Sequence, residues 1–293
     1  MADEPGLSPD PEESIMSKKI GFVGLGTMGF PMAVNLKKAG FQVIGFDAYK
    51  GVYEKARAAG LTMVETLKHV AEQADEAIIS MVRDYQQNVD VILGDDGLLT
   101  APSRHKTIIV MSTLDPDSMN ELGKKVEEES DFRLISAAVS GGHSGAEAGT
   151  LSIMTSGAEE TVRSFTPYFD AMGSHVFFYG EKPGNSQVAK LVNNMILGIT
   201  MNAVVEGAKL AAHYGLPEDA LFKLLRVSTG DSWVVRNWSE VSEWTADTAL
   251  GVLLKDLKAA HAEGLKSNVA LPFNALASVL LFDSMGKEHK PKA

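Results

Sequence analysis

The sequence of 293 residues contains no cysteine. That excludes disulfides, a thiolate nucleophile and any cysteine-ligated metal, and it suits a reducing compartment. Long apolar runs are missing too. Uncharged stretches such as Leu191 to Val205 are broken by asparagine and fall short of the ~20 residues that span a bilayer. The N-terminus lacks the basic-then-apolar layout of a secretory signal. A cytoplasmic protein with no membrane partner is therefore expected. Nor is there an excess of base: the formal charge is −11, which argues against the basic face of a nucleic-acid binder. The seven histidines are scattered, none within four residues of another. HxxxH spacing is thus absent and no metal is expected.

What is present is ordinary globular material, 45% hydrophobic and 22% charged, enough for two domains. Residues 1–16, MADEPGLSPDPEESIM, hold five acids, three prolines and no base. They read as a disordered acidic leader, with Met16 an alternative start. From Lys18 onward strand-like runs (KKIGFVG, QVIGFD, EAIISMV, TIIVMS, RLISAAV, LSIMTSG, HVFFYG) alternate with amphipathic stretches (GFPMAVNLKKAG, VYEKARAAG, DYQQNVDVIL, PDSMNELGKKVEEE, EETVRSFTPYFDAM). After residue 182 only helical segments follow. The pattern predicts an α/β protein: an N-terminal Rossmann-type domain over 17–182 with a mainly parallel sheet, then an all-α domain over 183–293. A long helix beginning GNSQVAKLVNNM joins them.

Chemistry concentrates in three stretches. Gly24-Leu25-Gly26-Thr27-Met28-Gly29 follows a strand and opens a helix, and the next strand ends at Asp47. That context suits a dinucleotide: Gly24 for the turn, Gly26 for close approach of the pyrophosphate, Gly29 for helix packing. Asp47 would accept the adenosine ribose hydroxyls and repel a 2′-phosphate, favouring NAD over NADP, although nearby Lys50 could soften that repulsion. A glycine-rich turn with no ligand is the alternative. Second, Ser140-Gly141-Gly142 leaves a strand for a short helix, a nest for a small anion or simply a turn. Third, Lys190 and Asn194 stack one turn apart on a greasy helix, beside Asn193. They are either solvated first-turn residues or, facing the domain junction, a proton carrier with a substrate contact. A nicotinamide enzyme needs such a carrier, and with no cysteine and scattered histidines Lys190 is the best candidate.

With these stretches in their order, the chain resembles the β-hydroxyacid dehydrogenases, the family of 3-hydroxyisobutyrate dehydrogenase and tartronate semialdehyde reductase. GFVGLGTMGFPMAVNLKKAG is similar to its cofactor signature, VSGGHSGAEAGTL to its substrate loop, GNSQVAKLVNNM to its catalytic segment and LLKDLKAA to a late helix. The resemblance implies Lys190 as acid/base, substrate contacts from Ser140, Gly141, Gly142 and Asn194, and a helical domain through which subunits form a homodimer or homotetramer. It also implies cofactor contacts from Thr113 and Lys255, and Val82 and Arg83, just after the EAIISMV strand, are expected to join them. Two departures stand out. Ser136 and Ala138 replace an acid and a proline before the loop and are expected to reshape its mouth. Arg83 stands where proline is usual and is a candidate contact to cofactor or substrate. His143, Asp231, Trp233 and Arg236 are candidates for selecting the far end of the substrate, Arg236 as a second cation. The implied activity is NAD-dependent interconversion of a short 3-hydroxy acid and its semialdehyde. The alternatives are an NADP-preferring semialdehyde reductase and a non-catalytic dinucleotide-binding protein.

Overall fold

The computed structural model describes residues 18–102 and 105–286; the acidic leader lies outside the described residues. The chain divides into two compact units, one ending at Ala189 and the other beginning at Lys190. That boundary falls inside a helix rather than ahead of it, where the sequence suggested 182/183.

In the first unit eight strands form one sheet in the order β3-β2-β1-β4-β5-β6-β7-β8. They are β1 (Lys19–Val23), β2 (Gln42–Phe46), β3 (Thr62–Met63), β4 (Ala77–Ser80), β5 (Thr107–Val110), β6 (Arg133–Ser140), β7 (Leu151–Ser156) and β8 (Gly173–Phe178). All neighbours are parallel except β6 and β7. Helices α1 (Gly29–Lys38), α2 (Tyr53–Ala58), α3 (Leu67–Gln73), α4 (Tyr85–Leu93), α5 (Pro116–Glu129), α6 (Gly142–Ala148), α7 (Glu159–Ser164) and α8 (Thr166–Met172) connect them. The period-2 geometry of the central strands makes two cores. Ile79, Ile109 and Ile135 share a rung and belong to one. Ile78, Ile108 and Leu134, a rung earlier, belong to the other. Helix α1 packs Met32, Ala33 and Leu36 into the first core, and α5 packs Met119, Leu122 and Val126 into the second. Helix α5 starts sharply because Asp115 accepts from the N–H groups of Asp117 (2.9 Å) and Ser118 (3.0 Å), with Pro116 in the first turn. Edge strand β8 is half-exposed along most of its length, with Phe177 45% and Phe178 40% accessible.

The second unit is helical throughout its described residues. It holds most of α9 (Gly184–His213), then α10 (Glu218–Leu225), α11 (Trp233–Arg236), α12 (Trp238–Val241), α13 (Ala249–Lys266) and α14 (Pro272–Ser284). Its core gathers Met201, Val234, Val241, Leu250, Leu257 and Leu281. At Gly198 an added Cβ would lie 2.8 Å from the Leu257 side chain, so the two helices pack at glycine distance. Helix α14 is amphipathic in effect: Leu281 and Phe282 are buried while Val279 is 75% exposed.

By length and composition α9 could cross a membrane, averaging a hydropathy of 1.4 over 18 residues, which the uncharged runs alone did not suggest. Of that window 44% is buried inside the protein. Its first turn, moreover, is fastened to the sheet. Gln187, fully buried, accepts from the Leu114 N–H (2.9 Å) and donates to the Ser112 carbonyl (3.0 Å) and Ser136 Oγ (2.9 Å). Ser186 donates to Ser136 Oγ (2.7 Å) and accepts from Ser156 Oγ (2.9 Å). This corrects the expectation for Ser136. It lies inside β6, paired with Val110 and Ser156 and wholly buried, so its change of type is absorbed beneath α9 and not at the loop mouth.

Replacing Gln187 by Leu strands two buried backbone groups. Stability is expected to fall by about 2–4 kcal/mol, seen as a lower denaturant midpoint at unchanged slope. An unaltered midpoint would show these contacts to be dispensable.

Candidate active site

The sheet order decides which loops meet. Strands β2, β1, β4, β5 and β6 are parallel neighbours, so their carboxyl ends lie along one edge in that order. Asp47, Gly24, Val82 with Arg83, and Thr113 follow the first four of those ends in turn, and Ser140 is the last residue of β6. The crossovers reverse at β1, and beside such a reversal open α/β sheets bind ligands.

The glycines of the cradle have different reasons to be there. Gly24 has φ +92°, and a Cβ on it would lie 2.5 Å from the Met81 carbonyl oxygen. One on Gly29 would lie 1.9 Å from the Gly24 carbonyl oxygen. Both are demanded by the protein's own packing. At Gly26 an added Cβ would meet nothing within 4 Å, so the bareness there serves open space at the start of α1. That is where a dinucleotide diphosphate fits, against a helix N-terminus. Asp47 has an extra task that the sequence did not suggest. Its Oδ2 accepts from the Leu25 N–H (2.6 Å) and its Oδ1 from the Tyr49 N–H (2.7 Å). The carboxylate thus staples the glycine loop and retains lone pairs for ribose hydroxyls. Lys50 is committed elsewhere, to Tyr53 Oη (2.7 Å) and Glu65 (3.3 Å), over the Phe46 and Tyr53 rings.

The turn after β4 is held by a buried polar network. Ser80 Oγ donates to Asn88 Oδ1 (2.8 Å), Asn88 Nδ2 donates to the Asp84 carbonyl (2.8 Å) and to Ser112 Oγ (3.1 Å), and Ser112 Oγ donates to the Val82 carbonyl (2.8 Å). The Arg83 N–H donates to Gln87 Oε1 (3.0 Å). So Val82 and Arg83 sit on a pinned turn. Arg83 is exposed, and among the described residues no carboxylate pairs with its guanidinium. Ser140 closes β6, and Gly141 (φ 138°) and Gly142 (φ 68°) turn the chain into α6 through conformations that favour glycine. His143, on α6, points its Nδ1 at the Thr27 carbonyl, 3.0 Å away, where the sequence suggested a substrate contact.

The second unit assembles the other predicted residues. Lys190 is 8% and Asn194 7% exposed on successive turns of α9, which removes the solvated first-turn reading. Asn194 Nδ2 donates to Asp256 Oδ2 (2.6 Å) and Asn193 Nδ2 to Asn194 Oδ1 (3.0 Å). Lys255 Nζ lies 3.0 Å from Asp256 Oδ1. Burial is the main influence on the Lys190 ammonium; Asp256 opposes it, Lys255 adds to it, and the group is pushed down to about 8. A lysine in that range exchanges a proton near neutrality. Arg236 is not the free cation its position suggested. Its Nε donates to Asp231 Oδ2 (2.7 Å), and its Nη2 engages the same oxygen. Trp233 faces Trp244, ring centroids 6.1 Å apart. Gln187, Ser112 and Asn88 escaped sequence reasoning as site supports; Asp256 stood out only as the neighbour of Lys255.

Residues 19–180 match the family described as the NAD binding domain of 6-phosphogluconate dehydrogenase. Residues 184–293 match that described as NAD-binding of NADP-dependent 3-hydroxyisobutyrate dehydrogenase. The NAD-dependent L-serine dehydrogenase of Pseudomonas aeruginosa is 33% identical over 270 residues, covering 89% of this chain and 90% of that one. The 2-(hydroxymethyl)glutarate dehydrogenase of Eubacterium barkeri is 33% identical over 266 residues, covering 89% and 87%. Among solved structures, Mycobacterium tuberculosis 3-hydroxyisobutyrate dehydrogenase with L-serine superposes with a TM-score of 0.78 at 28% identity, covering 90% and 92%. With a dinucleotide cradle, a Ser-Gly-Gly loop and a buried lysine already in place, these matches mean that the chain belongs to the β-hydroxyacid dehydrogenase family of NAD(P)-dependent oxidoreductases.

Proposed function

We propose that this protein interconverts a short 3-hydroxy carboxylic acid and its semialdehyde with NAD, using Lys190 as acid and base. The observation that carries the reading is the burial of Lys190 with its ammonium pushed down to about 8. A bound nicotinamide supplies the hydride acceptor or donor; Gly24 to Gly29 would hold its diphosphate and Asp47 a ribose. Val82, Thr113 and Lys255 are assigned to the same cofactor. The carboxylate of the substrate goes to Ser140, Gly141 and Gly142, with Asn194 oriented by Asp256 as a further contact. In oxidation the neutral Lys190 amine takes the hydroxyl proton as the C–H bond yields its hydride, leaving a carbonyl and an ammonium. In reduction the Lys190 ammonium returns that proton to the alkoxide oxygen. Fixing the acid form in place contributes through orientation as well as proton transfer.

The substrates named for the relatives share one skeleton. L-serine, 3-hydroxyisobutyrate and 2-(hydroxymethyl)glutarate are all HO–CH2–CH(X)–COO⁻, with X an ammonium, a methyl or a carboxyethyl group. The skeleton is what the loop and the lysine need; X sets the choice among them. Arg83 favours a second reading on this point. An exposed guanidinium with no paired carboxylate among the described residues, on a fixed turn, suits an X bearing negative charge and disfavours an ammonium. The binding of NAD in preference to NADP rests on Asp47, with Lys50 already occupied by Glu65 and Tyr53. Assembly as a homodimer or homotetramer through the helical unit is supported by its exposed apolar side chains, among them Leu265 (71%), Phe273 (73%) and Val279 (75%).

Initial rates test the reaction. Oxidation of 3-hydroxyisobutyrate with NAD should rise with pH through about 8, because the base form grows there, and semialdehyde reduction should fall over the same range. Lys190→Ala should lose roughly 10²–10⁴-fold in turnover while still binding NADH; a variant as fast as wild type would remove Lys190 from the chemistry. For X, the preference for 2-(hydroxymethyl)glutarate over 3-hydroxyisobutyrate should shrink by roughly 10–100-fold in Arg83→Ala. Equal loss for both, accompanied by weaker NADH binding, would assign Arg83 to the cofactor instead. Light scattering should return a mass of two or four chains, and a single-chain mass would refute the assembly.

A further inference from the structure

Just ahead of helix α1 one carbonyl is left over, and the sequence makes that unavoidable. In an α-helix the carbonyl of residue 27 is the acceptor for the N–H of residue 31. Residue 31 is proline, which has no N–H and whose ring crowds that carbonyl. The bonds on either side are made, Phe30 N–H to the Gly26 carbonyl (3.0 Å) and Met32 N–H to the Met28 carbonyl (3.4 Å). Between them the Thr27 carbonyl, in the middle of the cradle, is left without a helical donor. His143 supplies one. A carbonyl oxygen only accepts, so the Nδ1 that lies 3.0 Å from it carries the proton. On the other side of the ring, Nε2 lies 3.3 Å from Glu147 Oε1.

The opposite end of α6 is tied to the same helix by the same logic. Its last carbonyls have no acceptor role within α6. Asn35, one turn beyond Pro31 on α1 and 8% exposed, donates from Nδ2 to the Ala146 carbonyl (2.7 Å) and the Glu147 carbonyl (3.4 Å). Helix α6 is therefore attached to α1 at both ends, each time through a backbone group that its own helix cannot satisfy. Gly141, directly ahead of α6, and Gly142, its first residue, are both at positive φ and link the helix back to β6 and Ser140. Asn35 fixes the far end of α6 by a buried contact. His143, with its side chain 49% exposed, fixes the end next to the glycines by a contact that reaches the diphosphate cradle itself.

We propose that His143 is a positioning residue that couples the dinucleotide cradle to the Ser140–Gly142 loop, so that a dinucleotide on Gly24–Gly29 orders the loop for its anion. The kinetic side of this inference rests on the proposed role of that loop in holding the substrate carboxylate; the coupling itself does not. With the diphosphate seated, the Thr27 carbonyl has one position, His143 carries that position into the first turn of α6, and Gly141 and Gly142 lose their freedom to turn. Without the imidazole, α6 keeps its Asn35 bonds and the buried Ala146 at its far end, and its first turn moves independently of the cradle.

Hydrogen–deuterium exchange on the full chain, with and without NADH, tests the coupling without turnover. NADH should slow exchange over residues 24–36 in wild type, His143→Ala and His143→Gln alike. Over residues 140–148 it should slow exchange in wild type and in His143→Gln, whose amide can still donate to the carbonyl, but not in His143→Ala. Protection of 140–148 in His143→Ala equal to wild type, or none in wild type, would overturn the proposal. In rates at saturating NAD, His143→Ala should raise the KM for the hydroxy acid roughly 5–10-fold with kcat nearly unchanged; a fall in kcat at unchanged KM would also overturn it. Should no hydroxy acid be turned over by wild type, the functional reading fails, and the exchange result still decides the coupling.

Discussion

Helix α1 can begin where it does only because residue 29 has no side chain. A single methyl there would stand 1.9 Å from the Gly24 carbonyl oxygen, and either the turn or the helix would have to move. Much depends on that close approach. It sets the start of α1 against the end of β1, which leaves the space beside Gly26 open. It places the Leu25 N–H on the Asp47 carboxylate and fixes the depth at which Met32 and Leu36 enter the core. It also decides where the proline-freed carbonyl of Thr27 and the amide of Asn35 emerge, and so where α6 is held. One steric condition is thereby passed from the cradle to the loop farther along the sheet edge.

The helical unit depends on a different kind of balance. Desolvating an ammonium is costly, and Lys190 is relieved only partly by Asp256, because Lys255 shares that carboxylate. Asn194 takes the other oxygen. A full ion pair would have locked Lys190 in its charged form, and an apolar pocket with no carboxylate would have kept it neutral. Burial outweighs the pull of Asp256, and the amine is left below its usual range, at about 8.

Much of this could be read in the chain. Helix α5 was legible to the residue, because Asp115-Pro116 announces its start and the glutamates run out at Ser130. The glycines, Asp47 and Lys190 stood out because each is an unusual type for its local pattern. Strand β3 did not, being two residues long at the sheet edge. Helix α3 was missed although Thr66 caps it, and the stretch 159–172 reads as one helix until Phe165, where Pro167 restarts it as α8. The supports of the site were the least visible. Gln187 meets Ser112 and Ser136 across 75 and 51 residues, and in sequence a buried serine or glutamine looks the same as a surface one. For the same reason Arg236 looked free until Asp231 was seen beside it, and Ser136 looked like part of a loop it does not reach.

The sheet ends on β8, with its aromatic side chains half in water and a row of peptide groups facing outward at the edge. An uncharged, aromatic edge of this kind invites another extended chain to add on and, repeated, to stack. The residues just past the strand work against that. Gly180 turns the chain at φ +97°, and Glu181, Lys182 and Pro183 come next: two opposite charges and a residue that cannot donate to a ladder. These flanking residues act as gatekeepers. They confine the sticky segment to the six residues of β8, so that solubility at this edge is set by its neighbours in sequence and not by the strand itself.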